Sequence, residues 1–135
     1  MHTRKQTRIF AIFTAVILVT PLLLAARLAP AREGLGTHQQ LGLPPCTARV
    51  LLGIRCPACG MTTSWAHFMT GQWRQSAVTN LGGFLLAWMN LVTIGLCVTA
   101  AGNGRLPGES VLRIWSLAMI GIAVVTAAQW GWRVI

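Results

Sequence analysis

Acidic residues are almost absent from this chain. Glu33 and Glu109 are the only carboxylate side chains in 135 residues; there is no aspartate, and tyrosine is missing altogether. Two isolated glutamates exclude paired-carboxylate acid–base chemistry within one chain. No phosphate-binding glycine loop and no Gly-x-Ser-x-Gly elbow occurs, so the usual phosphoryl- and acyl-transfer templates are absent too. Charge of either sign is scarce: 10% of residues carry it, against about 25% in a soluble domain.

What the chain has instead is hydrocarbon. Hydrophobic residues make up 54% of it and the mean hydropathy is +0.61. Three stretches carry no charge: Ile9 to Ala26, Gln75 to Gly104, and Ile114 to Trp132. A spanning helix needs about 20 apolar residues, and only a helix satisfies its own backbone in hydrocarbon. The expected fold is an all-α membrane protein, one integral membrane domain over 1–135, with transmembrane helices at about 9–29, 77–101 and 112–133. Trp115 and Trp130, about 22 Å apart along a helix, suit rings at the two interfaces of the third span. Asn90 falls near mid-membrane and is expected to hydrogen-bond to a neighbouring helix; Gly82, Gly83, Ala87 and Gly121 allow close helix contact, within the chain or between copies. No charge lies inside the spans, which argues against an ion or proton pathway of the usual kind.

The first segment has a rival reading. Met1 to Arg8 is like a signal-peptide n-region, and Ala29-Pro30-Ala31 is like a cleavage site. The apolar run exceeds the roughly 7–15 residues of such a signal, which favours a retained span. Arg4, Lys5 and Arg8 place the N-terminus in the cytoplasm by density, although basic residues divide almost evenly between the two sides. The net charge of +9 comes mostly from arginines at span ends, where they meet lipid headgroups. With no basic run interleaved with aromatics, the expected partner is the lipid bilayer rather than nucleic acid.

Between the first two spans lies the chemistry. Cys56-Pro57-Ala58-Cys59-Gly60 is a C-P-x-C-G knuckle inside a cysteine-containing interfacial segment, 44–76. Pro57 fixes part of the turn, and Gly60 tolerates its angles. Residues 30–45 read as an irregular connector, and Val50, Leu51, Leu52 and Ile54 as interfacial. After the knuckle, Met61, Trp65, Phe68, Met69 and Trp73 share one helical face and Thr63, His67, Thr70 and Arg74 the other. That pattern predicts a short amphipathic interfacial or re-entrant helix from Met61 to Arg74, with Thr62 capping its first turn and Gly71 loosening it before the second span. A knuckle at a helix N-terminus, with Arg55 adjacent, is expected to hold Cys56 and Cys59 as thiolates.

Two chemistries follow. Cys56 and Cys59, with Cys46 as a third ligand, suit zinc or iron; a tetrahedral site needs a fourth donor. His67 is poorly placed, about 12 Å along the helix from Cys59, so His38, a water or a second chain is the expected source. Alternatively Cys56 and Cys59 form a redox pair with Cys46 as the resolving thiol, or a structural disulfide. Cys97 lies near the far end of the second span and reads as a packed, inert thiol.

Pro44-Pro45-Cys46, Gly53-Ile54, Cys56-Pro57, Cys59-Gly60-Met61-Thr62, Gly71 and Asn80 together resemble an uncharacterised bacterial membrane family, domain of unknown function 2752. Its usual arginine after the threonine and its frequent proline after the asparagine are Thr63 and Leu81 here. The resemblance implies a small multi-pass protein of the bacterial inner membrane, with Pro57, Gly60, Thr62 and Asn80 as motif positions, and supplies no activity. The expected function is an accessory or structural membrane component with a cysteine-based metal-binding or structural element at the interface, a non-enzymatic reading. The alternatives are a membrane thiol–disulfide oxidoreductase using Cys56 and Cys59, and an oligomeric scaffold or transport subunit that partners copies of itself or another membrane protein.

Overall fold

A helix starts where a side chain can take its first unpaired N–H groups. Thr3 does so for α1 (Arg4–Ala26): its hydroxyl accepts from the Gln6 N–H while the Gln6 amide oxygen accepts from the Thr3 N–H, a reciprocal capping box. The computed structural model describes residues 3–134; Met1, His2 and Ile135, and with them the outer ends of the signal-like n-region and of the 1–135 domain, lie outside the described residues. A 3-10 turn (Thr37–Leu41) follows α1, then α2 (Thr47–Leu52), α3 (Met61–Met69), α4 (Trp73–Thr79), α5 (Leu81–Asn103) and α6 (Glu109–Val134). No strand occurs among the described residues. The fold is all-α, and α1, α5 and α6 are long and apolar enough to cross a membrane.

The three long helices alternate in direction. Arg8 at the start of α1 donates through Nη2 to the Gly102 carbonyl at the end of α5, 3.0 Å away. Midway, Asn90 Nδ2 donates to Leu18 O at 3.1 Å, the neighbour-helix bond expected of it. Leu18 follows Ile17, whose carbonyl has no helical donor because Pro21 lacks an N–H. On the other side of α5, Trp115 donates to Thr93 Oγ1 at 2.9 Å, and Gln129 Oε1 accepts from Leu81 N at 3.0 Å. One end of the molecule therefore gathers the start of α1, the end of α5 and the start of α6. The other gathers residues 27–80, the start of α5 and the end of α6.

Small residues set the helix separations. A Cβ on Gly82 would fall 1.9 Å from Thr126 Oγ1, so α6 crosses α5 where only glycine fits. Ala87 is fully buried, Gly83 lies against Ser64, and a Cβ on Gly121 would meet nothing within 4 Å. The close contacts at Gly82, Gly83 and Ala87 are thus internal to the chain.

Three expectations need correction. The second span starts at Leu81 rather than 77, because Asn80 is extended (φ −156°, ψ 105°) and caps α5 by accepting from Gly83 N. The amphipathic helix is two helices: at Gly71 (φ 76°) the chain turns back, and α4 packs on α3. Its polar side divides: Thr70 and Arg74 are exposed, but Thr63 is 1% exposed beneath the connector, next to the fully buried Ser64. The connector itself contains the 3-10 turn, and the interfacial stretch after Cys46 contains α2, whose Val50, Leu51 and Leu52 are exposed.

Candidate metal centre

The knuckle is a pair of tight turns. Cys59 N donates to Cys56 O and Met61 N to Ala58 O, each at 3.0 Å. Gly60 then takes φ +85°, and a Cβ there would sit 2.9 Å from Gly34 O. Both its left-handed angle and its close approach to the connector require glycine. Gly60, not Thr62, is the N-cap of α3, and no side chain caps that helix. Thr62 instead lines the cavity over the cysteines.

Asn80 holds the knuckle from behind. Its Nδ2 donates to Pro57 O and Cys59 O, each at 3.2 Å, while its Oδ1 accepts from Gly83 N at 2.8 Å. The side chain is 1% exposed. Beside it, Ser64 Oγ reaches Ser76 O at 2.9 Å and Asn80 O at 3.1 Å, and Ser76 Oγ donates to Ser64 O at 2.7 Å. Trp65 Nε1 donates to Gly83 O at 2.8 Å. From α6, Trp130 donates to Arg55 O, and Arg133 donates to Val78 O and Thr79 O at the end of α4.

The second segment arrives through Cys46, which precedes the first turn of α2. The sulfurs of Cys46, Cys56 and Cys59 lie within 4.8 Å of one another, and those of Cys56 and Cys59 are 3.2 Å apart. All are free thiols and half-buried. Sulfurs bound at about 2.3 Å to one tetrahedral ion stand about 3.8 Å apart, so shifts of about an ångström bring all three onto an ion. They face a cavity of about 290 Å³ that His38, Arg49 and Thr62 also line.

The electrostatics differ from the thiolate expected at Cys59. Cys46 is the thiol whose pKa falls, to about 7, because the Arg49 backbone N–H and then the Cys56 and Cys59 side chains hydrogen-bond its charged form. Cys59 is pushed up to about 12, first by burial and then by its contacts with the Cys56 and Cys46 sulfurs. Of the other candidates, His67 Nδ1 donates to Gln72 Oε1 at 2.7 Å and faces a separate cavity with Arg32 and Arg74. Cys97 is not in the sulfur cluster; it borders an apolar cavity among α1, α5 and α6.

Residues 46–94 match the model of a family described as protein of unknown function DUF2752. The similarity to DUF2752 covers 49 of the 135 residues. No curated protein and no solved structure matches the chain. The DUF2752 match begins on Cys46 itself and includes the knuckle, α3, α4, Asn80 and the first part of α5. It leaves out α1, the 3-10 turn bearing His38, and α6.

Sequence reasoning marked Asn80 without its task. The signal for a cap was there, an asparagine just before a long apolar run, but its reach back to Pro57 and Cys59 spans more than twenty positions. The Ser64–Ser76 pair and the contacts from Trp130 and Arg133 have no local signature at all.

Proposed function

We propose that this protein is an accessory or structural component of the bacterial inner membrane that holds a zinc or iron ion on Cys46, Cys56 and Cys59 at the bilayer interface. The observation that carries the reading is the convergence of three free thiols from two separate segments to within 4.8 Å of one another. Thiolate donors select zinc and iron among the common ions. A divalent ion also supplies what burial withholds, since coordination deprotonates a thiol outright, whereas burial pushes the Cys59 thiol up to about 12. The concentration of Arg4, Lys5 and Arg8 at one end supports a cytoplasmic N-terminus and an outward-facing centre.

Metal analysis of protein purified from cells tests the reading. Wild type is expected to retain close to one zinc or iron per chain, and Cys56→Ser and Cys46→Ser to lose it. Negligible metal in all three sinks it.

The 3.2 Å approach of Cys56 to Cys59 favours one second reading, thiol–disulfide exchange. In it, one thiolate of the pair attacks a substrate disulfide and the other resolves the mixed disulfide, so that the Cys56–Cys59 S–S bond forms as two thiol protons leave and two electrons reduce the substrate. A redox titration decides: a potential in the range of exchange enzymes, above about −270 mV, supports it, and one below about −300 mV leaves only a staple.

A further inference from the structure

Three sulfurs leave a tetrahedral sphere one donor short. We propose that His38 supplies that donor, binding through Nδ1 and making the centre a Cys3His site. The inference rests on the metal reading of the three cysteines and assigns the one position that reading leaves open.

His38 borders the same cavity as Cys46, Cys56 and Cys59. Its backbone is held there. The 3-10 turn that carries it is bounded by Gly36 (φ 90°) and Gly42 (φ 75°), both left-handed. Its neighbour Thr37 is fully buried, accepts from Ala31 N at 3.0 Å, and is 2.8 Å from Thr63 Oγ1 in the first turn of α3. The turn is thereby pinned four positions beyond Cys59 on the knuckle's own helix.

The ring is oriented as well. His38 Nε2 lies 3.2 Å from Pro44 O. A carbonyl can only accept, so Nε2 carries the proton and Nδ1 keeps its lone pair. Metal-bound histidines show this arrangement, with one nitrogen on the ion and the other N–H on a backbone carbonyl that fixes the tautomer. Pro44 lies two positions before Cys46, so the short segment that brings in a sulfur also orients the imidazole. His38 is not within the 4.8 Å set formed by the sulfurs; loading draws the ring inward. Three thiolates and a divalent ion carry one net negative charge. A neutral imidazole adds none, and Arg49 borders the cavity as the counter-charge. His67 is excluded by its bond to Gln72 and its separate cavity.

Cobalt titration of the full chain in detergent tests this. Wild type is expected to show thiolate-to-cobalt charge transfer with the intense visible bands of a tetrahedral ion. His38→Ala should keep the charge-transfer band, bind cobalt about tenfold or more weakly, and shift and weaken the visible bands, with added imidazole restoring them. His67→Ala should match wild type. A His38→Ala protein identical to wild type in affinity and spectrum overturns the fourth-ligand assignment and leaves the three-cysteine centre standing. Absence of charge transfer in wild type overturns both. X-ray absorption of the zinc-loaded wild type keeps the test independent of how any variant folds: a shell of three sulfurs with imidazole scattering is expected, and its absence refutes the assignment.

Discussion

Asn80 satisfies three backbone groups at once, two carbonyls of the knuckle and the Gly83 N–H in the first turn of α5. An alanine there leaves the buried Gly83 N–H unpaired, at about 1–3 kcal/mol, and removes the donor from two part-buried carbonyls. Asn80→Ala is therefore expected to lower the thermal midpoint by several degrees and to loosen metal retention, both measured on the purified protein. The thiols give a pH prediction. A pKa below the ordinary thiol value means the proton leaves earlier as pH rises, so alkylation of Cys46 in metal-free protein should increase through about pH 7 and level off above it. Cys59, with a pKa near 12, should remain unreactive across the same range. Peptide-resolved labelling at a series of pH values reads both; equal profiles for the two residues contradict it. Residue types were legible in the sequence, since the knuckle, Cys46 and Asn80 all stood out. Which thiol ionises was not, because burial of Cys59 and the N–H that Arg49 offers Cys46 exist only once the segments meet.

Among the elements, the long helices were readable from charge-free windows, while the break before α5 and the α3–α4 turn were not. The stripe of Met61, Trp65, Phe68 and Met69 correctly marks a helix, but periodicity puts Thr63 on the polar face and assigns Ser64 to neither. Hydroxyls on Thr37 and Ser76 give those two residues buried partners, which no local pattern encodes. The α5–α6 crossing at Gly82 offers a direct test of packing. A methyl group there would meet Thr126 Oγ1 and Cβ at 1.9 and 2.9 Å, so Gly82→Ala should destabilise the protein by about 1–3 kcal/mol. Adding Thr126→Ala should recover part of that loss, because it removes the nearer atom. Thermal unfolding of the single and double variants measures the coupling; purely additive losses would show that the contact is not what separates the helices.

Over the whole molecule, the alternation of α1, α5 and α6 fixes which groups share a membrane face, whatever the absolute orientation. Cys46 and Cys56 stand on the face of Arg133, opposite Arg4 and Arg105. A membrane-impermeant maleimide applied to intact cells should therefore label Cys46 or Cys56 and a cysteine introduced at Thr3 in mutually exclusive fashion. Labelling of both from one side would break the three-span arrangement. Labelling of the native cysteines from outside supports the cytoplasmic N-terminus. This scale was the most legible of all: apolar length and the demand for internal backbone pairing leave few arrangements. The far-reaching bonds that lock it, from Gln129 to Leu81 and from Trp130 to Arg55, were invisible because nothing in either segment names its partner.

The hold of α6 on the knuckle has a consequence for biosynthesis. Trp130 and Arg133 reach Arg55, Val78 and Thr79, residues translated long before them. The sulfur-bearing segment emerges while its backing is still unmade. Its final shape awaits α6. A chain halted before Trp130 would carry all three sulfurs and lack the bonds that α6 makes to the backbone behind them.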